Sequence, residues 1–360
     1  MGRIRRKELR KRRRRQRAVI GAISLSLTIV LVAAIILASS PKTPGFAQSN
    51  SYEAKAYENA TTVIDLGLLP VSLHSSNAII VNVDLNDISR STNSPNSLNN
   101  TKVLFELSAD EKIYPASLTK IMTAMVVLES KAGKEEMITL GQDIYNEILP
   151  QDLKTAGLSP EESLSVKDLL YGMMLESGAD CALGLARHIA GSETAFGGLM
   201  NEKAAELGMD HTSFTNATGR HEPEQYSTVR DICVLLNYAI GNEAFYEIFT
   251  SQSYKVASTN IHPNGITFTS SIFGKTSGDF GEALLLGGKT GFTAEAGQCL
   301  ASLWAVNGER YIIVTAGAQA KNSFSEAKHL DDAMTLIRAL WPDYSFPEPT
   351  GRPEGSIPPL

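Results

Sequence analysis

The chain contains few cysteines, and its histidines lack the spacing of a metal site. Its 360 residues include three cysteines, Cys181, Cys233 and Cys299, which do not make a disulfide framework. We expect them to be buried, inert thiols. The six histidines show neither a His-Glu-x-x-His nor a His-x-His pattern. The sequence therefore argues against a disulfide-rich scaffold and a zinc peptidase, and it calls for no metal or cofactor.

Positive and negative charges are separated along the chain. Residues 1–17 contain eleven Lys and Arg and one Glu, a net charge of +10, whereas the whole chain has a net charge of −6. The remaining residues therefore carry a net charge of −16. Residues 18–38 follow the basic run without a charge, and such a length is enough to cross a bilayer as a helix. We expect a basic cytoplasmic segment at 1–17 and a transmembrane helix or signal anchor at 18–38.

A cleaved signal peptide is the competing interpretation of this N-terminal segment, because residues 38–40 offer small side chains for cleavage. The apolar part of a signal peptide normally has only about 7–15 residues, which favours an uncleaved anchor. An anchor places the rest of the chain on the extracytoplasmic side of the cell membrane as a single-pass protein, and cleavage would make it secreted. The apolar span explains the basic run as a topology signal, so we expect no nucleic-acid partner.

Composition divides the remainder into a linker, a domain and a tail. Residues 39–74 contain Pro, Ser and Asn with few long apolar runs, as expected for an extracytoplasmic linker. Residues 75–343 carry the strand and helix patterns. The hydrophobic content of the whole chain, 43%, is enough for a substantial core in one domain of about 250 residues or in two smaller ones. Residues 344–360 form a proline-rich tail.

Strand patterns lie at both ends of this domain. Residues 77–85 alternate as in a half-buried strand, and we expect them to pair with 103–107 as an antiparallel hairpin. Near the end of the domain, strands are predicted at 283–293, 299–306 and 310–317, the last two joined across Asn307 and Gly308, a strong hairpin signal. Helices are predicted between these groups and after them, at 117–130, 169–176, 229–240 and 325–340. This order predicts an α+β domain with an antiparallel sheet flanked by helices.

The first chemical motif is a Ser-x-x-Lys sequence from Ser117 to Lys120. Three residues make about one helical turn, so the Ser117 hydroxyl and the Lys120 amine lie on the same face within reach of each other. A desolvated lysine can take the proton of the serine, and unpaired backbone N–H groups at a helix start can face a developing oxyanion. The motif alone also occurs by chance in solvated helices.

The second motif is a Lys-Thr-Gly segment at the end of an apolar strand. Lys289 offers a cation to a substrate carboxylate, Thr290 offers a hydroxyl, and the glycines, including Gly291, let a ligand approach the backbone closely. A surface lysine beside a glycine turn is the alternative for this motif by itself. Both motifs in this order in one chain favour acyl transfer by an activated serine.

These motifs and the residues around them resemble the serine D-alanyl-D-alanine carboxypeptidases, the low-molecular-weight penicillin-binding proteins. The resemblance covers residues 77–341. It rests on Tyr-Pro-Ala-Ser-Leu-Thr-Lys-Ile-Met-Thr-Ala at 114–124, on Gly-Lys-Thr-Gly-Phe-Thr-x-x-Ala-Gly-x-Cys-Leu at 288–300 and on His-Glu-Pro-Glu-Gln-Tyr-Ser-Thr at 221–228. It implies a β-lactamase/transpeptidase-like fold.

The resemblance also implies roles for particular residues. Ser117 would attack the carbonyl between the two terminal D-alanines of a peptidoglycan stem peptide, and Ser177 would help to pass a proton to the departing D-Ala. Backbone N–H groups of Ser117 and Phe292 would hold the oxyanion. Lys289, Thr290 and the following Gly291 would bind the substrate, whose carboxylate the first two would hold. Penicillin-type β-lactams would acylate the same serine.

Two positions depart from the family pattern. The middle motif of the family is Ser-x-Asn, whereas this chain has Ser177, Gly178 and Ala179. Ala179 has no amide for the substrate backbone, and one such bond in a desolvated site is worth roughly 1–3 kcal/mol. Asp180 is no substitute, because an Asp follows the Asn in the family as well. Ser323 stands where relatives often carry an arginine that assists the substrate carboxylate.

Two other functions stay open from the sequence. The first is a noncatalytic or weakly active sensor of penicillins or muropeptides, because Ala179 weakens the middle motif. The second, which the sequence favours less, is a class A β-lactamase, since such an enzyme requires a deacylating glutamate after that motif. Residues 206–219 contain no convincing Glu-x-x-x-Asn pattern.

Overall fold

A six-stranded antiparallel sheet lies at the centre of the protein in the computed structural model, which describes residues 71–83, 101–322 and 326–342. The order of its strands is β2-β1-β10-β9-β8-β7. Two short pairs, β3 with β4 and β5 with β6, lie outside this sheet. The strands are β1 Asn77–Val83, β2 Lys102–Leu107, β3 Met137–Leu140, β4 Glu162–Ser165, β5 Ser253–Val256, β6 Ile266–Thr269, β7 Asp279–Phe280, β8 Ala283–Thr293, β9 Gly297–Val306 and β10 Glu309–Ala318.

Eight α-helices accompany these strands in the described part of the chain. They are α1 Thr119–Glu129, α2 Gln142–Ile148, α3 Val166–Leu175, α4 Ala179–Ala190, α5 Glu193–Glu206, α6 Val229–Ala239, α7 Glu243–Thr250 and α8 Lys328–Leu340. Along the chain, helices α1 to α7 lie between β2 and β5, a region that also contains β3 and β4. Helix α8 follows the last strand. This arrangement confirms the predicted α+β class with an antiparallel sheet.

The expectation that 77–85 is a half-buried strand is wrong. On one face of β1, Ile79 and Val81 join the core formed with the helical middle of the chain. On the other face, Ala78 and Ile80 are fully buried in a second core that includes α8. Both faces are covered because β1 is an interior strand with helices on either side of the sheet. The alternation of apolar residues does not show that β1 is an interior strand, nor that a second layer with α8 covers its other face.

The predicted strand pairings are confirmed. Strand β1 pairs antiparallel with β2, with Ala78 opposite Leu107. Strands β9 and β10 form a hairpin whose turn residues, Asn307 and Gly308, have φ angles of 58° and 83°. Positive φ at both positions is typical of the type I′ turn that matches the twist of the strands.

Helix ends follow the sequence signals in most places. The Ser165 hydroxyl accepts a hydrogen bond from the Asp168 N–H at 3.1 Å, and the Asp168 carboxylate accepts one from the Ser165 N–H at 3.3 Å, a complete capping box for α3. Thr228 caps α6 in a similar way through the Asp231 N–H. The last helix differs from its prediction, because it begins at Lys328 rather than at 325, after Ala327, which makes no side-chain cap.

Several predicted segments lie outside the described residues. These are the basic segment 1–17, the apolar segment 18–38, all of the linker before residue 71, residues 84 and 85 of the first predicted strand, Ser323 and the tail 344–360. Within residues 71–83, 101–322 and 326–342, no helix is long and apolar enough to span a membrane.

Candidate active site

The candidate nucleophile lies just before α1. Ser117 is in a 3₁₀ turn, Ala116–Leu118, which runs directly into the helix that carries Lys120. The Lys120 Nζ donates a hydrogen bond to the Ser117 Oγ at 3.1 Å. The helical spacing therefore brings the two side chains into contact, although the predicted helix at 117 begins as a tighter turn.

Lys120 is buried, and burial changes its acidity. Its side chain is 2% exposed. Burial lowers the pKa of Lys120 to about 7, with Asp180 acting in the opposite direction. A second hydrogen bond runs from its Nζ to the Thr218 carbonyl oxygen. The lowered pKa makes an unprotonated Lys120 accessible near neutral pH, so it can accept the proton of the serine hydroxyl.

Two glycines let neighbouring backbone pack against the turn that holds Ser117. A Cβ on Gly219, whose φ is 82°, would lie 2.0 Å from the Ala116 carbonyl oxygen. A Cβ on Gly291 would lie 3.0 Å from the Ser117 backbone nitrogen. The loop that ends at Gly219 also carries Thr218, whose carbonyl accepts the bond from Lys120. Gly219 is therefore needed for this packing, and Gly291 lets the end of β8 lie close to the serine.

Lys289 of the Lys-Thr-Gly motif contacts Ser177 of the middle motif across the site. The Lys289 Nζ donates to the Ser177 Oγ at 2.9 Å and to the Thr290 carbonyl at 3.0 Å. Lys289 is fully buried, and burial lowers its pKa well below the usual range, with a further decrease from the nearby Lys120 charge. Ser177 lies between α3 and α4 with a φ of 64°, a left-handed conformation that is uncommon for serine. The structure thus joins Ser177 to the strand β8.

Thr290 has a hydroxyl partner that the sequence did not indicate. Its Oγ1 is 2.8 Å from the Ser271 Oγ, and the Ser271 backbone N–H donates to the Leu175 carbonyl at 3.0 Å. Ser271 follows β6, which is distant in sequence from both motifs. Local sequence contains no signal for this contact, because it depends on the packing of β5 and β6 against α3.

Ala179 and Asp180 both make hydrogen bonds to backbone groups. The Ala179 N–H donates to the Lys154 carbonyl at 2.8 Å. The Asp180 carboxylate accepts from the Ala156 N–H at 2.9 Å and from the Cys181 N–H at 2.9 Å. Burial raises the pKa of Asp180 despite these bonds. Asp180 therefore holds the chain around Ala156 to the start of α4 and does not replace the amide that Ala179 lacks.

The three cysteines are buried and free. Burial raises the pKa of Cys233 and of Cys299 to about 12. Burial also raises the pKa of Cys181 well above the usual range, and Asp180 adds to the effect. High pKa values keep these thiols protonated, so the expectation of buried, unreactive thiols fits their surroundings. Among the residues that the structure describes, no group of three or more His, Cys, Asp or Glu could hold a metal ion.

The chain matches a family of known enzymes. The family model described as Peptidase_S11, D-alanyl-D-alanine carboxypeptidase, matches residues 96–320. The chain is 43% identical over 140 residues to D-alanyl-D-alanine carboxypeptidase DacC of Escherichia coli strain K12, a match that covers 37% of this chain and 35% of the relative. It is 32% identical over 228 residues to D-alanyl-D-alanine carboxypeptidase DacA of Haemophilus influenzae, with 61% and 54% covered. The chain thus spans about half or less of the length of these curated relatives.

A solved structure shares the fold. The crystal structure of the Streptomyces K15 DD-transpeptidase matches with a TM-score of 0.62 at 24% sequence identity, covering 74% of this chain and 97% of that one. This likeness confirms the predicted β-lactamase/transpeptidase-like fold.

Proposed function

Because the chain belongs to the Peptidase_S11 family of D-alanyl-D-alanine carboxypeptidases, we propose that it removes the terminal D-Ala from peptidoglycan stem peptides through an acyl-enzyme at Ser117. The observation that carries the proposal is the 3.1 Å hydrogen bond between Ser117 and a buried Lys120 whose pKa is lowered to about 7. This pair supplies a nucleophile and a base at neutral pH.

Acylation begins when Lys120 takes the Ser117 proton. The Ser117 oxygen then forms a bond to the carbonyl carbon between the two terminal D-alanines, and the carbonyl oxygen becomes an oxyanion. Backbone N–H groups of Ser117 and Phe292 hold this oxyanion in the proposed mechanism, and losing one such donor costs about 2.7–4 kcal/mol. The close approach of Gly291 to the Ser117 nitrogen supports this assignment, because it brings the end of β8 beside the serine.

The departing D-Ala needs a proton on its nitrogen and a site for its carboxylate. Ser177 passes the proton that Lys120 received, and water later attacks the acyl-enzyme, which restores the Ser117 hydroxyl. Lys289 and Thr290 hold the carboxylate of the leaving residue. Hydrogen bonds from Lys289 to Ser177 and between Thr290 and Ser271 support a shared location for these tasks.

β-Lactams are proposed as covalent inhibitors of the same serine. A penicillin presents a strained amide and a carboxylate to the groups that receive the peptide. Ser117 would attack the lactam carbonyl after Lys120 takes its proton, the C–N bond of the ring would break, and the proton would pass to the lactam nitrogen.

The sequence before the domain supports an extracytoplasmic location. We propose that residues 18–38 anchor the chain in the cell membrane, with 1–17 in the cytoplasm, a linker at 39–74, the serine DD-peptidase domain at 75–343 and a tail at 344–360. The basic run before a long uncharged apolar run supports this topology. Fractionation of cells after alkaline extraction would test it, because an anchored chain stays with the membranes and a cleaved one is found in the medium.

A weakly active penicillin or muropeptide sensor is the second candidate function. Ala179 favours it, because the site lacks one amide for the substrate backbone while it keeps the serine and both lysines. Asp180 does not compensate, since its carboxylate binds the backbone at Ala156 and Cys181. A sensor would be acylated slowly and would not turn over.

One experiment separates these functions. The purified chain is incubated with diacetyl-L-Lys-D-Ala-D-Ala, and free D-Ala is measured, with Ser117→Ala as the control. Release that depends on Ser117 supports the carboxypeptidase. No release, together with labelling of Ser117 by a fluorescent penicillin, supports the sensor, and absence of both reactions contradicts the two proposals.

A further inference from the structure

Lys154 lies beside the candidate site but belongs to none of its motifs. Its carbonyl accepts the Ala179 N–H at 2.8 Å, which ties it to the start of α4, two positions after Ser177. Its Nζ is 3.3 Å from the Glu176 Oε2, in the residue directly before Ser177. The side chain nevertheless keeps 57% of its surface exposed. Lys154 is therefore a solvent-accessible cation held next to Ser177.

Glu176 links Lys154 to the segment that carries Ser271, the hydroxyl partner of Thr290. The second carboxylate oxygen of Glu176, Oε1, accepts the Thr269 N–H at 2.7 Å. Ser271 is two residues further along, and two residues of extended chain span at most about 7 Å. The Ser271 N–H also donates to the Leu175 carbonyl at 3.0 Å, so Ser271 lies beside the residue that precedes Glu176, the partner of Lys154.

Lys154 lies near two other lysines of the site although the chain after residue 17 has a net charge of −16. The charge of Lys154 lowers the pKa of both Lys120 and Lys289, so it lies within electrostatic reach of the two buried lysines. A negatively charged domain repels an anionic ligand at long range, whereas a cleft lined by charge of one sign concentrates its counter-ion. An exposed cation at the rim suits that task better than a fully buried one.

We propose that Lys154 is a specificity-determining residue that attracts the carboxylate at the leaving end of the ligand and delivers it to the hydroxyls of Thr290 and Ser271. This inference rests on the proposed function of the site. Glu176 competes with the ligand carboxylate, because it binds the Lys154 ammonium group when no ligand is present. An ammonium group has three N–H donors, so Lys154 can bind a ligand carboxylate while it still contacts Glu176.

The test compares a charged ligand with its neutral analogue. The second-order rate constant for acylation of Ser117 is measured by mass spectrometry for benzylpenicillin and for its methyl ester. In Lys154→Met, at a pH above the acidic limb of the acylation profile of both proteins, we expect the rate for the free acid to fall about three- to tenfold at low salt and the rate for the ester to stay unchanged. The loss should shrink at high salt, since exposed charges are screened.

Three further variants sharpen the comparison. Lys154→Arg keeps the charge and should retain the preference for the acid. Lys131→Met removes an exposed lysine beyond the far end of α1, about 16 Å along the helix from its start, and should change neither rate. Glu176→Gln removes the competing charge but keeps an oxygen for the Thr269 N–H, so the rate for the acid should rise about two- to fivefold.

The pH profile of acylation distinguishes an electrostatic role of Lys154 from a purely structural one, because only loss of its charge would shift the profile. Loss of the Lys154 charge raises the pKa of Lys120, so the acidic limb of the acylation profile should shift to higher pH in Lys154→Met. Equal losses for acid and ester, or an unchanged ratio of the two rates in a folded Lys154→Met protein, would overturn the inference. If wild-type chain reacts with neither ligand, both the inference and the proposed function fail. A shifted ratio without release of D-Ala from the tripeptide would keep the inference and contradict only the peptidase.

Discussion

Replacement of Lys120 by methionine should abolish acylation and stabilise the folded domain. The side chain is 2% exposed, and its pKa is lowered from 10.5 to about 7, mainly by burial. Each pKa unit corresponds to about 1.4 kcal/mol, so holding this lysine in the fold costs about 5 kcal/mol at pH 7 and below. Methionine has a similar length and no charge to desolvate.

The gain is reduced by the bonds that the lysine makes. Without Lys120, the buried Thr218 carbonyl loses a donor, and an unsatisfied buried group costs about 1–3 kcal/mol. We therefore expect Lys120→Met to be about 2–4 kcal/mol more stable than wild type at pH 6–7.

The effect must depend on pH in one direction. Between pH 7 and about 10.5, the unfolded chain binds a proton at this lysine that the folded domain does not, so the stability of wild type rises with pH through this window. Methionine cannot titrate, and the advantage of the variant should therefore disappear near pH 10. Urea unfolding of both proteins at pH 6.5, 8 and 9.5 measures this difference. A variant that is less stable than wild type at pH 6.5, or a difference that is constant over pH, would refute the assignment of a strained, buried lysine.

Three other predictions concern the site. The acylation rate of wild type by benzylpenicillin should fall about tenfold per pH unit below pH 7, because protonated Lys120 cannot act as a base, and a flat profile from pH 5 to 7 would contradict this role. Ala179→Asn should raise the acylation rate by the tripeptide substrate about 5- to 150-fold if the restored amide contributes about 1–3 kcal/mol, and a slower variant would show that this site is adapted to alanine. Gly219→Ala should lower both the melting temperature and the acylation rate, because its Cβ would lie 2.0 Å from the Ala116 carbonyl, whereas Gly191→Ala, with open space around its Cβ and a φ of 76°, controls for backbone strain alone.

The Ser-x-x-Lys motif and the β9 to β10 turn illustrate what local sequence can predict. The contact between Ser117 and Lys120 follows from one helical turn, and the β9 to β10 hairpin follows from the residues at its turn. These features depend on neighbours within a few positions. The capping box at Ser165 and the helix stop at Gly191, which has a φ of 76°, belong to the same class.

Other parts of the site depend on long-range packing and have no local signal. Ser271 meets Thr290 only because the β5 and β6 pair lies against α3. The Thr218 carbonyl reaches Lys120 across 98 residues of sequence. The burial of β1 on both faces likewise depends on α8, which follows at the end of the domain.

Sequence by itself identified the family and led to the proposed serine chemistry, because residue types at short spacing define the candidate serine, its candidate base and the Lys-Thr-Gly strand. It also determined the α+β order of strands and helices through hydrophobic periodicity. Only the tertiary structure decided the protonation of Lys120, since desolvation depends on everything that surrounds the amine. It also decided that Asp180 binds backbone, that Ser177 pairs with Lys289 and that Lys154 lies beside them, because these contacts join segments that the chain brings together only when it folds.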